Sequence, residues 1–99
     1  MKKIKKLVKM IDEEIEGAKC YAEYYVENKA EGKTEIAQDY HKMASDELNH
    51  ASILHKIIVA EIEKISKVFT PPADMMIKWE DEHTKYIETA DWVKDMLNM

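Results

Sequence analysis

The sequence is poor in cysteine and in the residues that break helices. It has only two glycines, two prolines and one cysteine among its 99 residues. The single cysteine, Cys20, excludes a disulfide within the chain and is typical of a reducing, cytoplasmic environment. The absence of a Cys-x-x-Cys pair excludes a zinc ribbon. So few helix breakers, in a chain rich in Lys, Glu, Ala, Ile and Met, predict a single all-helical domain over residues 1–99.

Long apolar runs and an excess of positive charge are also missing. No segment approaches the roughly 20 apolar residues that a membrane span needs, and Lys9, Asp12 and Glu13 interrupt the stretch after the basic N-terminus. The 15 Lys and Arg residues against 20 Asp and Glu give a net charge of −5, which argues against nucleic-acid binding. We therefore expect neither a membrane nor a nucleic acid among the partners.

What the chain does contain predicts three helices, over about residues 4–30, 34–68 and 71–97. Gly32 is a natural C-cap for the first helix, and Thr34 is expected as the N-cap of the second. The third should begin with a proline as its first helical residue. Because short connections join antiparallel neighbours, the expected fold is an all-α, three-helix antiparallel bundle.

Two of these helices carry charged or polar residues within an apolar seam. The seam of the first helix is Ile4, Leu7, Ile11, Glu14, Ala18, Tyr21 and Tyr25. That of the second is Ile36, Tyr40, Met43, Glu47, His50, Leu54 and Ile57. The alternating spacing of three and four is the repeat of a helix packed along another helix. Burying Glu14, Glu47 and His50 without a partner would be costly, so these three positions need an explanation.

An antiparallel hairpin around residues 30–33 brings these three side chains into one layer. The register that sets Glu14 opposite Glu47 also sets every other seam residue opposite a seam residue. A turn centred on Gly32 shifts the register by roughly one helical turn, and both registers stay open. Carboxylates and imidazoles bind iron, manganese and zinc alike. The pattern therefore predicts a transition-metal site with Glu14, Glu47 and His50 as ligands.

Simpler interpretations exist for each residue taken singly. His50 alone would be a hydrogen-bonded core histidine, and Glu47 alone would pair with a lysine such as Lys19. Only the three residues together in one layer favour a metal ion. Tyr21 and Tyr40, next to this layer, are expected to be core residues rather than redox-active ones.

The third helix contains a second Glu-x-x-His pair, Glu80 with His83. A turn near residues 70–71 places Glu80 at least nine residues beyond His50 along the second helix, or roughly 14 Å at 1.5 Å per residue. Glu88 lies much closer to the height of His50. The register therefore adds Glu88 as a weak candidate ligand. It places Glu80 and His83 outside the site unless the third helix packs on another subunit.

Residues 13–54, EEIEGAKCYAEYYVENKAEGKTEIAQDYHKMASDELNHASIL, resemble the first helical hairpin of rubrerythrins and related ferritin-like proteins. In this resemblance Glu14 takes the place of the first-helix iron ligand, and Tyr21 that of the family's first-helix tyrosine. Glu47 and His50 take the place of the second-helix Glu-x-x-His. The resemblance thus implies the same three ligands as the spacing does.

The third helix, WEDEHTKYIETADWVKDML, looks like the last helix of short ferritin-like proteins of bacteria and their phages. Glu80 and His83 have the form of the family's other Glu-x-x-His, which makes them weak candidate ligands. Members of the superfamily hold two metal ions between two single Glu residues and two Glu-x-x-His motifs in a four-helix bundle. The resemblance therefore implies a di-iron protein, with Mn or Zn as alternatives. It would oxidise Fe(II) with O₂ or peroxide and depend on an electron donor outside the chain.

This chain provides three helices and one convincing half of that ligand set. A homodimer or higher homo-oligomer is therefore expected to complete a four-helix core. The alternative is a non-catalytic helical interaction module that has kept the fold without the metal. The sequence leaves enzymatic activity open between these two functions.

Overall fold

The computed structural model describes residues 2–99 and contains three helices that run up, down and up. They are α1 (Lys2–Ala30), α2 (Thr34–Ser66) and α3 (Ala73–Leu97), with no strand among the described residues. Together they form a rod of 55 × 18 × 17 Å. The predicted all-α three-helix bundle is thereby confirmed. Over residues 2–99, no helix has both the length and the apolar character needed to cross a membrane.

The first residues of α2 and α3 differ from the expectation. Thr34 is the first residue of α2 rather than its cap, and Lys33 holds the N-cap position. The third helix begins at Ala73 with Pro72 as its N-cap, so Pro71 is not the first helical residue. The reason is the second proline, because a residue that precedes a proline is driven out of the helical conformation.

The turn between α1 and α2 has the predicted glycine geometry. Gly32 has a φ of +78°, a backbone conformation that only glycine adopts without strain. The backbone N–H of Lys33 donates to the carbonyl of Asn28 at 2.9 Å, which satisfies one of the free carbonyls at the end of α1. The hairpin therefore turns tightly.

The buried stripe of α1 largely follows the predicted seam, but that of α2 is shifted by one position. The buried residues of α1 are Ile4, Leu7, Ile11, Ile15, Ala18, Ala22 and Tyr25. Those of α2 are Ala37, Ala44, Ala51, Leu54 and Ile58. The expected seam residues Ile36, Met43 and Ile57 are exposed. Alanines on the contact stripe let the two helices approach closely, and the larger neighbouring side chains lie beside the contact.

The third helix packs along α1 on one side of the hairpin. Trp79 and Tyr86 pack in the core cluster around Ile11, Ile15 and Ile58. Towards the turn of the hairpin, Val93 of α3 packs with the alanines of α1 and α2. One face of the hairpin is thus covered by α3, which runs parallel to α1.

His55 provides the aromatic contact between α2 and α3. Its ring stacks on His83 with centroids 5.0 Å apart and on Tyr86 at 5.3 Å, and it tilts against Trp79 at 5.5 Å. Burial and the neighbouring His83 lower the pKa of His55. His55 is therefore neutral at physiological pH, as an imidazole within an aromatic stack should be.

A pair of carboxyl groups joins α1 to α3. Lys85 binds Asp12 at 2.6 Å and Glu16 at 2.9 Å. Burial, a hydrogen bond with Asp12 and the charge of Asp12 raise the pKa of Glu82 to about 7. For Asp12, burial acts in the same direction, but hydrogen bonds with Lys85 and Glu82 outweigh it and its pKa is lowered. Glu82 therefore holds the proton that the pair shares.

Replacing Glu82 with glutamine is expected to reduce the dependence of stability on pH. The raised pKa of Glu82 stabilises the folded chain fully below its unfolded value of 4.5, and this contribution is lost as the pH rises to about 7. A glutamine amide can donate to Asp12 at every pH. The free energy of unfolding of Glu82→Gln, relative to the wild type, should therefore be higher near pH 8 than near pH 5.

Urea unfolding at the two pH values, with EDTA present, measures this difference. Asp81→Asn, at the exposed neighbouring position, is the matched control and should show no such change. An equal difference between Glu82→Gln and the wild type at both pH values would contradict the assignment of the proton to Glu82.

Candidate metal centre

Glu14 of α1 and Glu47 and His50 of α2 converge at the middle of the hairpin. One ligand atom from each residue can be chosen so that all three lie within 4.8 Å of one another. The Nδ1 atom of His50 is 3.3 Å from Oε2 of Glu14. The three residues that the spacing singled out are therefore brought together by the fold, with donor types that suit a transition metal.

The register of the hairpin includes contacts from both expected alignments. Tyr40 stacks on Tyr21, with ring centroids 6.2 Å apart, and on Tyr24 at 5.2 Å. The pairing of Tyr21 with Tyr40 belongs to one alignment, and the pairing of Glu14 with His50 belongs to the other. Because knobs of one helix fill gaps between residues of the other, each side chain meets two partners. Tyr21 and Tyr40 are only half-buried, so they lie at the edge of the core.

A glycine makes room for one of the candidate ligands. A Cβ atom at Gly17 would lie 3.1 Å from Oε2 of Glu47, which is closer than ordinary van der Waals contact. Gly17 lies three residues after Glu14 and so faces the same side of α1. Glycine in the interior of a helix costs roughly 0.5–1 kcal/mol relative to alanine. The space at Gly17 thus lets the Glu47 carboxylate lie close to α1.

The electrostatics of the group favour a proton or a cation between its two carboxyl groups. Burial, a hydrogen bond with Glu14 and the negative charge of Glu14 raise the pKa of Glu47 to about 7. Neither Glu14 nor Glu47 lies within salt-bridge distance of a lysine among residues 2–99, and Glu14 contacts the imidazole of His50. Lys19 lies instead over the ring of Trp92, 5.4 Å from its centroid. The simpler explanation of Glu47 as a partner of Lys19 is therefore wrong.

The weaker candidate ligands of α3 lie elsewhere in the structure. His83 stacks on His55, and Glu80 is exposed on the surface. Glu88 lies beside Lys19 and Trp92 in a shallow depression between α1 and α3. None of these three belongs to the Glu14 group, and α3 provides no ligand to it among the described residues.

The side of α1 that meets α3 is nearly opposite the side that carries Glu14. The α1 residues that contact α3 through polar or cationic groups are Asp12, Glu16 and Lys19. At about 100° per residue, they lie about 160° around the helix from Glu14, Gly17 and Tyr21. The third helix and the candidate metal-ligand group therefore occupy opposite sides of the hairpin.

Sequence analysis missed two functional features. The role of Gly17 could have been found, because a glycine inside a strong helical pattern often marks a close packing contact. The carboxyl pair of Asp12 and Glu82 had no comparable signal. Its two members lie on helices that are distant in sequence, and neither occupies an apolar seam.

Comparison with known proteins agrees with this geometry. The sequence profile of the family described as Rubrerythrin matches residues 5–98. The chain belongs to the rubrerythrin family. The match covers α3 as well as the hairpin, so the resemblance noted for residues 13–54 extends over almost the whole chain. Neither the curated proteins nor the solved structures that were searched include a match to it.

Replacing Gly17 with alanine should raise the stability of this rubrerythrin-family chain and lower its affinity for metal ions. The metal-free protein should become more stable by up to about 1 kcal/mol, because alanine is a better helix former and the flexible Glu47 side chain can move away. The same movement displaces a candidate ligand, so any affinity for a metal ion should fall. Thermal unfolding with EDTA and a Co(II) titration measure the two effects. A rise or fall of both together would show that Gly17 does not position Glu47.

Proposed function

We propose that this chain is a ferritin-like metal-carboxylate protein that binds iron. The observation that carries the proposal is the convergence of Glu14, Glu47 and His50 within 4.8 Å. Membership of the rubrerythrin family makes iron the first choice, although Mn and Zn accept the same donors. The space above Gly17 fits this function because it lets a second carboxylate approach the first.

The residues have distinct roles in this proposal. The carboxylates of Glu14 and Glu47 bind the cation and neutralise its charge, which also relieves the repulsion between them. His50 binds as a neutral imidazole through one ring nitrogen. Iron held by these residues would supply Lewis acidity and one-electron redox chemistry.

The number of metal ions and the reaction are proposed from membership of the family. A complete site of this superfamily holds two ions, and we propose the same number for the completed site here. Fe(II) is then a substrate that is oxidised, with O₂ or peroxide as the oxidant. Reduction of the resulting Fe(III) would need an electron donor outside this chain. A cytoplasmic location is proposed because the single Cys20 is typical of a reducing compartment.

Replacing Glu47 with glutamine tests metal binding directly. The amide keeps the size of the side chain and removes the anionic donor. Since changes to residues that merely support metal ligands cost 10–100-fold in affinity, the loss of a ligand should weaken binding by more than about 100-fold. Equilibrium dialysis against Fe(II) without oxygen, or a Co(II) titration followed by absorption, measures the affinity. Glu13→Gln, at an exposed position one residue before Glu14, is the matched control.

A second function has one observation in its favour. Large apolar side chains, including Ile36, Met43 and Ile57, are exposed on the same side of the hairpin as the ligands. Such a surface also suits a helical interaction module that binds no metal. An equal absence of metal binding in the wild type and in both variants would favour that module and contradict the iron-binding proposal.

A further inference from the structure

We propose that a second copy of this chain covers the exposed side of the hairpin and contributes a second Glu14, Glu47 and His50 to the same metal centre. The inference rests on the proposed function and adds the partner to it. The surface concerned, called the ligand face below, consists of two stripes. The residues of α1 are Met10, Glu14, Gly17, Tyr21 and Tyr24, and those of α2 are Ile36, Tyr40, Met43, Glu47, His50 and Ile57.

The metal-ligand group is incomplete within one chain. Two carboxylates and one imidazole are half of the donors that a two-ion carboxylate site uses. No further His, Cys, Asp or Glu of residues 2–99 joins them. The remaining donors must come from solvent or from another chain.

The ligands are also open to solvent in the single chain. The side chain of His50 is 52% exposed and that of Glu14 is 28% exposed. The third helix cannot cover them, because it packs on the opposite side of α1, where Lys85 binds Asp12 and Glu16. The uncovered side is where a four-helix bundle would have its other two helices.

Apolar side chains surround the ligands on this face. The exposed ones are Met10, Tyr24, Ile36, Met43 and Ile57, each between 39% and 48% accessible. They lie on both sides of the ligand layer along the helices. An apolar surface with a few convergent polar groups at its centre suits a helix-packing interface.

The position of the ligand layer and the distribution of charge identify the occupant as a second copy. His50 is the middle residue of α2 (Thr34–Ser66), and Glu14 is two residues from the middle of α1 (Lys2–Ala30). A twofold axis through this layer, perpendicular to the helices, therefore lays each hairpin along the full length of the other.

The same axis brings opposite charges together. The residues near the start of α1 include Lys2, Lys3, Lys5, Lys6 and Lys9. Those near the α1–α2 turn include Glu23, Glu27, Glu31, Glu35 and Asp39. An antiparallel pair places the basic end of one copy near the acidic end of the other, whereas a parallel pair would place like charges together. The hairpin is in this sense complementary to itself.

Substitution of Met43 with lysine tests the shared site without changing a ligand. Met43 is 39% exposed on the ligand face, and Ile87, 47% exposed on α3, provides the matched control as Ile87→Lys. A lysine at the centre of an apolar interface should weaken self-association by about tenfold or more. Ile36→Lys, farther from the ligands, serves as a second variant. Circular dichroism shows whether each variant folds.

Sedimentation equilibrium and Co(II) titration are then measured on the full chain. We expect the wild type and Ile87→Lys to form dimers with about two Co(II) ions per dimer. Met43→Lys and Ile36→Lys should be monomeric, with Co(II) affinity reduced by about tenfold or more because half of the donors are lost.

The outcomes separate this inference from the proposed function. A monomeric Met43→Lys or Ile36→Lys that binds Co(II) as tightly as the wild type would overturn the shared site and leave metal binding intact. A wild type that stays monomeric with Co(II) bound would do the same. A wild type that binds no Co(II) at all would overturn both proposals.

Discussion

A chain that ends at Val68 is expected to lose cooperative unfolding and to aggregate. Without α3, the cluster around Ile11, Ile15 and Ile58 loses Trp79 and is exposed to water on one side. A bundle of 99 residues has only about 5–15 kcal/mol of stability to lose. Thermal unfolding by circular dichroism and light scattering measure the result.

Addition of the missing helix provides the control for this truncation. A peptide covering residues 70–99 should restore a cooperative transition when mixed with the shortened chain, because it carries every group through which α3 contacts the hairpin, including the Leu97 carbonyl that lies 3.1 Å from Nε2 of His41. A shortened chain that stays monomeric and unfolds within a few degrees of the full chain would show that the hairpin is stable without α3.

Replacing Ile58 with alanine is expected to cost about 2–5 kcal/mol of the free energy of unfolding. The side chain is fully buried in the main core cluster, and the substitution leaves a cavity between α1, α2 and α3. For a bundle of this size, such a loss is a large part of the total stability. Urea unfolding with EDTA present measures it.

Ile53→Ala is the matched control, because Ile53 is on the same helix and is 51% exposed. Its cost should stay within about 0.5 kcal/mol, as is usual for surface positions. Equal costs at positions 53 and 58 would contradict the buried stripe of α2 that the structure shows.

The hairpin and its candidate ligands could be predicted because two independent patterns agree. The spacing of apolar residues indicates roughly which sides of α1 and α2 meet, and the glycine at position 32 indicates where the chain turns. Together they place Glu14 at the height of Glu47 and His50 to within about one helical turn. A motif on one helix alone would not have selected these three residues from the 20 acidic residues and four histidines of the chain.

The buried stripe of α2 could not be predicted to the residue. Ile36 and Met43 each come directly before a buried alanine, Ala37 and Ala44, and Ile57 comes directly before the buried Ile58. A heptad pattern favours the larger residues as core, because they bury more apolar surface. The structure instead buries the alanines, since close approach of two helices needs small side chains. The larger residues are left on the ligand face.

The place of α3 was harder to predict for a different reason. Its partners are determined by contacts between residues far apart in sequence, such as Lys85 with Asp12 and His55 with Tyr86. These residues have no apolar periodicity that would reveal their pairing. The height of α3 along the rod could be predicted from its turn, but the side of the hairpin on which it packs could not.

The tight turn at Gly32 has a consequence for the order of folding. Contacts between α1 and α2 near the turn, such as Tyr25 with His41, close a short loop, which costs little chain entropy. Contacts between α1 and α3, such as Lys85 with Asp12, close a loop of more than twice the length of either helix. Local contacts form fastest, so the hairpin should assemble before α3 docks. The hairpin that carries all three candidate metal ligands would then form first, and the docking of α3 would stabilise it.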